Sequence, residues 1–204
     1  LSNRAGGFLA TVPGGYSNNA LGEDSFAAGC RAKANHNGAF VWGDSTEADI
    51  ASTADNQFTV RASGGARFFS NAAASSGVSL AAGAGAWSSL SDRNAKENLS
   101  PVNGREILER LSDVPLQTWN YRSQATSVRH IGPMAQDFAA AFGVGEDEKH
   151  ISTVDADGVA LAAIQGLHQL VKEKESKIEA LEKRLAALEK VVASLSRQQA
   201  GGRQ

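Results

Sequence analysis

The chain has 204 residues, a formal net charge of −2 and a pI near 6.1, a balance that gives no electrostatic case for binding nucleic acid or an anionic membrane surface. With 21 glycines and only 6% aromatic residues it has thin material for one large core, so repetition and oligomerisation are the expected compensation. The single cysteine, Cys30, excludes an intrachain disulfide framework and a cysteine-based zinc site; no run approaches the ~20 apolar residues of a membrane span, and Leu1-Ser2-Asn3-Arg4 does not open a signal peptide, so the chain reads as the C-terminal piece of something longer.

Residues 1–50 carry an internal repeat. Gly15, Gly22, Gly29 and Gly43 fall at intervals of seven with His36 in the missing slot, Asn18, Ser25, Ala32 and Ala39 follow in step, and so do Ala20, Ala27, Ala34 and Val41. Glycine for tight turns and small residues for a narrow interior predict a short-coil β-solenoid in which each rung pairs with the next. A coiled-coil heptad is excluded, because glycine and asparagine would fill its core. The repeat resembles the head of YadA-like trimeric adhesins, which implies a left-handed parallel β-roll.

Residues 51–90 read as a β-rich connector of a fibre. Asp44, Glu47, Asp49 and Asp55 lack the ligand spacing of a calcium loop and suit a solvated connection. Phe58–Ala62, Ala66–Ser70 and Val78–Ala81 are short β-prone runs separated by Gly64-Gly65 and Ala73–Gly77. Phe58, Phe68, Phe69 and Trp87 could stack sugars, but the expectation is that they plug the end of the solenoid against the next module.

At Ser91-Asp92-Arg93-Asn94-Ala95-Lys96-Glu97-Asn98-Leu99-Ser100 the composition changes from Gly/Ala/Ser-rich to charged and helix-forming. Ser91 and Lys96 are the two groups of a serine nucleophile with a lysine base. On a helix they would point roughly 140° apart, so joint action requires a turn or bend between them. A lysine ammonium, with its ordinary pKa of about 10.4, is no base near neutrality without desolvation or a cationic neighbour. The plain alternative is a solvated lysine and a capping or turn serine.

Beyond this stretch, Asn103 with Glu106 forms a capping box that opens an amphipathic helix through Ile107, Leu108 and Leu111, stopped by Pro115. Leu116–Arg122 reads as a strand with Trp119 and Tyr121 on one face. Gly132-Pro133 starts a short helix with Phe138 and Phe142 inward. Asp155-Ala156-Asp157-Gly158 is no calcium loop, since the acid needed at the twelfth position falls on Ile164. Heptads then place Ile164, Val171, Ile178, Leu185 and Val192 at a, and Leu167, Lys174, Leu181, Leu188 and Leu195 at d, with Lys177–Glu182 and Arg184–Glu189 as g-to-e pairs. This predicts a parallel coiled coil over 161–197, whose a and d residues lean toward a dimer in isolated peptides. Residues 198–204 are expected to form a disordered tail.

The run Ser91–Leu99, then Trp119-Asn120-Tyr121, then His130-Ile131-Gly132-Pro133-Met134-Ala135-Gln136-Asp137-Phe138, resembles the S74 peptidase family, the C-terminal intramolecular chaperone domain of phage endosialidase tailspikes. Related domains occur in other phage tail fibres, bacterial surface proteins and the myelin regulatory factor. The resemblance covers roughly Ser91 to Leu195, with the chaperone domain at 91–160. It implies a homotrimer that folds the upstream fibre segment of its own chain, then cuts itself off at Leu90–Ser91, with Ser91 as nucleophile and Lys96 as general base. His130 matches the motif histidine, either supporting the site or serving as a structural hydrogen-bonding histidine near a turn; Asp92 is a second supporting residue. The expected fold is an α+β, multi-part fibrous trimer of β-solenoid, small chaperone domain and coiled coil. The expected activity is that of a self-cleaving serine endopeptidase acting once, without cofactor or metal. The alternative is a non-cleaving structural trimerisation cap of an adhesin or tail fibre. A DNA-binding regulator is disfavoured, because no dense basic patch is present. The expected location is a phage virion or a bacterial surface or secreted protein, with a host or cell-surface glycan bound by an upstream part.

Overall fold

Small, evenly spaced residues at intervals of seven become rungs of a solenoid in the computed structural model, which describes residues 2–201. Eight short strands, β1 (Arg4–Ala5), β2 (Gly15–Tyr16), β3 (Asn19–Ala20), β4 (Phe26–Cys30), β5 (Ala32–Ala34), β6 (Phe40–Gly43), β7 (Ile50–Ala51) and β8 (Phe58–Arg61), wind into about four coils. They form two parallel sheets, β1-β3-β5-β7 and β2-β4-β6-β8. The register Gly15↔Gly29 and Gly29↔Gly43 shows that two seven-residue units make one coil.

The interior is built from the residues that keep step in the sequence. Ala20, Ala27, Ala32, Ala34, Ala39 and Val41 form the buried core. Alanine is small enough for two sheets to approach across one layer of side chains. Buried Asn18 closes its own polar account: its amide donates to the Gly14 and Gly29 carbonyls at 2.9 and 2.8 Å, and its carbonyl accepts from Ala32 N at 2.9 Å. Stacked rings of Phe26, Phe40 and Phe58, with centroids 4.6 and 4.9 Å apart, continue the ladder outside the core.

The repeat glycines are not chiefly turn residues, which corrects the sequence expectation. Gly15, Gly29 and Gly43 lie within strands, and a Cβ on Gly29 would stand 1.9 Å from the Gly43 carbonyl oxygen. Close stacking of successive coils, together with positive φ at Gly15 (100°) and Gly29 (87°), is the reason for glycine there. Several corners instead use non-glycine residues in the left-handed region: Leu9, Ser17, Asp24, Arg31 and Asn56.

After the solenoid, β9 (Ala66–Phe69), β10 (Gly77–Leu80) and β11 (Ser88–Ser89) form an antiparallel sheet in the order β11-β10-β9. Phe68 and Trp87 meet edge-on at 5.5 Å. The expected plug is not made within a chain: Phe58, Phe68 and Trp87 remain exposed, lining an apolar groove of 470 Å³. Three of the four acidic residues, Asp44, Asp49 and Asp55, have partners. Asp44 pairs with Arg61 at 2.9 Å and Asp49 with Arg31 at 2.7 Å, while Asp55 accepts from Asn37 N at 3.0 Å.

The chain divides into two compact units, Leu1–Glu97 and Asn98–Gln204. In the second, α1 (Gly104–Asp113) is capped by Asn103, whose side chain accepts from Arg105 N and Glu106 N. Glu106 does not complete the capping box; its carboxylate pairs with Arg110 one turn on. The expected strand shortens to β12 (Gln117–Trp119), which pairs antiparallel with β13 (His130–Gly132), a strand not foreseen. The helix α2 (Ala135–Phe142) buries Phe138 and Phe142 against Val114 and Val159. The last helix, α3 (Thr153–Gly201), begins before the heptads. Its first turns pack on α1 at a glycine pair, where a Cβ on Gly166 would stand 2.2 Å from the Gly104 carbonyl oxygen. The tail expected at 198–204 overlaps the end of α3 as far as Gly201, and its residues 202–204 lie outside the described residues.

Candidate functional site

Ser91 and Lys96 face each other across a one-turn 3-10 helix, Arg93–Ala95. Both flanks are extended: Asp92 has φ −64° and ψ 135°, and Lys96 has φ −124° and ψ 146°. That is the bend the five-residue spacing requires. Its result is a direct hydrogen bond, Lys96 Nζ to Ser91 Oγ at 2.7 Å. Both side chains are exposed in the single chain.

Asp92 does not touch the pair; it shapes the turn. Its carboxylate caps the 3-10 helix by accepting from Asn94 N at 2.9 Å and from the Asn94 side chain at 3.1 Å. Two backbone bonds, Ala95 N to Asp92 O at 3.1 Å and Lys96 N to Arg93 O at 3.2 Å, close the turn. Asn98, in the left-handed region at φ 55°, then redirects the chain.

On the other side of Ser91, β11 is held against β10 in the register Val78↔Ser89 and Ser79↔Ser88. Leu90 is therefore the residue between a paired strand and a capped turn. It forms, with Ser91, part of the wall of a 380 Å³ cavity over the β9–β11 sheet. A serine oxygen beside an amine and next to a carbonyl held from both sides is an arrangement suited to acyl transfer.

His130 belongs to the second unit, on β13. Its Nε2 lies 2.9 Å from Gln124 Oε1, and its ring sits 4.8 Å from Trp119 and 5.5 Å from Tyr121. Trp119 and Tyr121 meet edge-on at 4.9 Å, although Tyr121 lies beyond the end of β12 and not on the strand face expected for it. Among the described residues the Trp119 indole nitrogen is buried without a hydrogen-bond partner. Two of the separated motif segments, Trp119–Tyr121 and the one that opens at His130, thus meet in one aromatic cluster within this unit.

The sequence reading overlooked the cavity and Arg67, which lines it from β9. A signal was present: in Ala66-Arg67-Phe68-Phe69, strand alternation puts Arg67 and Phe69 on one face. Among the described residues, no three His, Cys, Asp or Glu side chains are grouped to hold a metal ion. No described helix is long and apolar enough to cross a membrane.

Comparison with curated proteins found no match. A family model described as chaperone of endosialidase, peptidase S74, matches residues 91–144 and stops short of the heptads. Its first residue is Ser91, the first member of the hydrogen-bonded pair. The resemblance read from Ser91–Leu99 and His130–Phe138 is thus matched by a family model, and over residues 91–144 the chain is similar to the peptidase S74 chaperone-of-endosialidase family, with a β-solenoid that fits a fibre segment before it.

Proposed function

We propose that this chain is an intramolecular chaperone that trimerises, folds the β-fibre before it, and then cuts itself once at Leu90–Ser91. The chaperone role follows the family match. The cut rests on one observation, the 2.7 Å contact between Lys96 Nζ and Ser91 Oγ immediately after the Leu90 carbonyl. In the reactive state Lys96 is neutral and takes the Ser91 hydroxyl proton as Oγ bonds to the Leu90 carbonyl carbon. The Leu90–Ser91 C–N bond then breaks and the proton passes to the departing nitrogen, leaving an ester between Leu90 and Ser91 Oγ. Water hydrolyses the ester, giving a Leu90 carboxylate and a fragment that begins at Ser91. Proximity replaces substrate affinity, because nucleophile and electrophile are neighbours in one chain. Asp92 supports the site by holding the turn, and His130 by organising the motif cluster of its own unit.

Self-association is supported by the apolar seam of α3. Ile164, Leu167, Val171, Ile178, Leu181, Leu185, Leu188, Val192 and Leu195 are all exposed in a single chain, and such a stripe requires a partner. A homotrimeric parallel coiled coil covers it. Loss of the chaperone after the cut leaves a fibre that unfolds slowly and does not reassemble. The setting that fits is a phage tail fibre or tailspike, or a bacterial surface adhesin, whose upstream part carries any glycan contact. Exposure of Ser91 and Lys96 favours a second reading, a trimerisation cap that stays attached. N-terminal sequencing of the released piece separates the two: a start at Ser91 supports the cut, and a start elsewhere or no release from wild type refutes it.

A further inference from the structure

We infer that Arg67, on the fibre side of the cut, supplies the positive charge that stabilises the oxyanion formed on the Leu90 carbonyl; the inference rests on the self-cleavage reading above. Attack by Ser91 Oγ moves an electron pair onto the Leu90 carbonyl oxygen, and a transition state of that kind gains from a donor already aimed at the oxygen. The three-stranded sheet puts Arg67 in the wall of the cavity that Leu90 and Ser91 also line. Register puts Arg67 opposite Ser79 on β10, and Ser79 opposite Ser88 on β11. Alternation then carries Phe69, Gly77 and Leu90 to the same face, one row along. All six of these residues line the single 380 Å³ cavity that Ser91 borders.

Two further features keep that face open and the guanidinium available. Gly77, paired with Phe69, contributes no side chain between Arg67 and Leu90; a Cβ there would stand 2.0 Å from the Phe68 carbonyl oxygen. The Arg67 guanidinium lies 5.5 Å from the centroid of the Phe69 ring, which steers its stem. Among the described residues it has neither a carboxylate partner nor a side-chain hydrogen bond, whereas Arg31, Arg61, Arg105 and Arg110 all have carboxylates. The chaperone domain therefore brings nucleophile and base, and the fibre brings the electrostatic partner, so cutting is confined to a chain whose fibre hairpin has already folded.

The test is the single-turnover cleavage rate of the full chain, followed by intact mass, for wild type, Arg67→Lys and Arg67→Met. Methionine keeps the stem over Phe69 and removes the charge. Arg67→Met is expected to cut about 10²-fold more slowly or worse, in the range seen when one oxyanion donor is lost, with Arg67→Lys recovering a substantial part. Equal rates for Arg67→Met and wild type, or equal slowing by both variants, overturn the inference. A wild type that never cuts refutes instead the self-cleavage reading beneath it, before any Arg67 variant is compared.

Discussion

At the smallest scale, three residues of 3-10 helix bring together a hydroxyl and an amine. Lys96→Arg keeps the cation but provides no base, so it is expected to block the cut completely while leaving fold and assembly intact, read by gel electrophoresis beside circular dichroism. The Ser91/Lys96 spacing was legible as a requirement, since a helix could not join them. The turn itself was less so, because it depends on the Asp92 side chain reaching Asn94 N. Asp44 offers a separate residue-scale test. Hydrogen bonds from Ser63 and Thr46 and the Arg61 guanidinium hold its carboxyl well below the usual carboxylate range. A depressed folded pKa means the stabilisation is fully present above the unfolded value of about 3.9 and is lost as pH falls below it. Thermal melts should therefore show wild type losing more stability than Asp44→Asn between pH 5 and the lowest workable pH, roughly pH 2. Parallel pH dependence in the two proteins would contradict that assignment.

At the element scale the solenoid was the most legible part of the chain. Every buried core position from Ala20 to Val41 lies on one of two seven-residue series visible in the sequence. What the period did not reveal was the glycine role, because stacking distance between coils is set by backbone contact and not by hydrophobic pattern. Asn18→Ala would orphan the Ala32 N–H and two carbonyls, and is expected to cost at least about 2 kcal/mol in chemical denaturation. Asn103→Ala, removing the cap of α1, should cost about 1 kcal/mol. The strand β13 escaped notice because His130-Ile131-Gly132 is too short to show alternation, and its pairing with Gln117–Trp119 is a tertiary fact. The aromatic groove of Phe58, Phe68 and Trp87 was expected to be covered, yet a single chain leaves it open.

At the scale of the whole molecule, exposed surfaces argue for company. The seam of α3 and the aromatic groove are apolar surfaces that one chain leaves in water, and the proposed trimer accounts for the seam. Replacing Ile178 and Leu181 with aspartate should turn the assembly into monomers by light scattering and sharply reduce both fibre folding and cleavage. Unchanged mass in solution would remove the chaperone's route to register. The heptads alone were ambiguous between two and three strands, because β-branched a and leucine d residues favour a dimer in isolation. The family match likewise ended at residue 144 and says nothing of the seam.

The most direct test of the central claim is intact-mass spectrometry of purified wild type beside Ser91→Ala and Lys96→Ala. Wild type is expected to resolve into two pieces divided between Leu90 and Ser91, while both variants remain whole as folded oligomers. A wild type that stays whole through prolonged incubation as a folded oligomer, or a variant that cuts at the same bond, would contradict it.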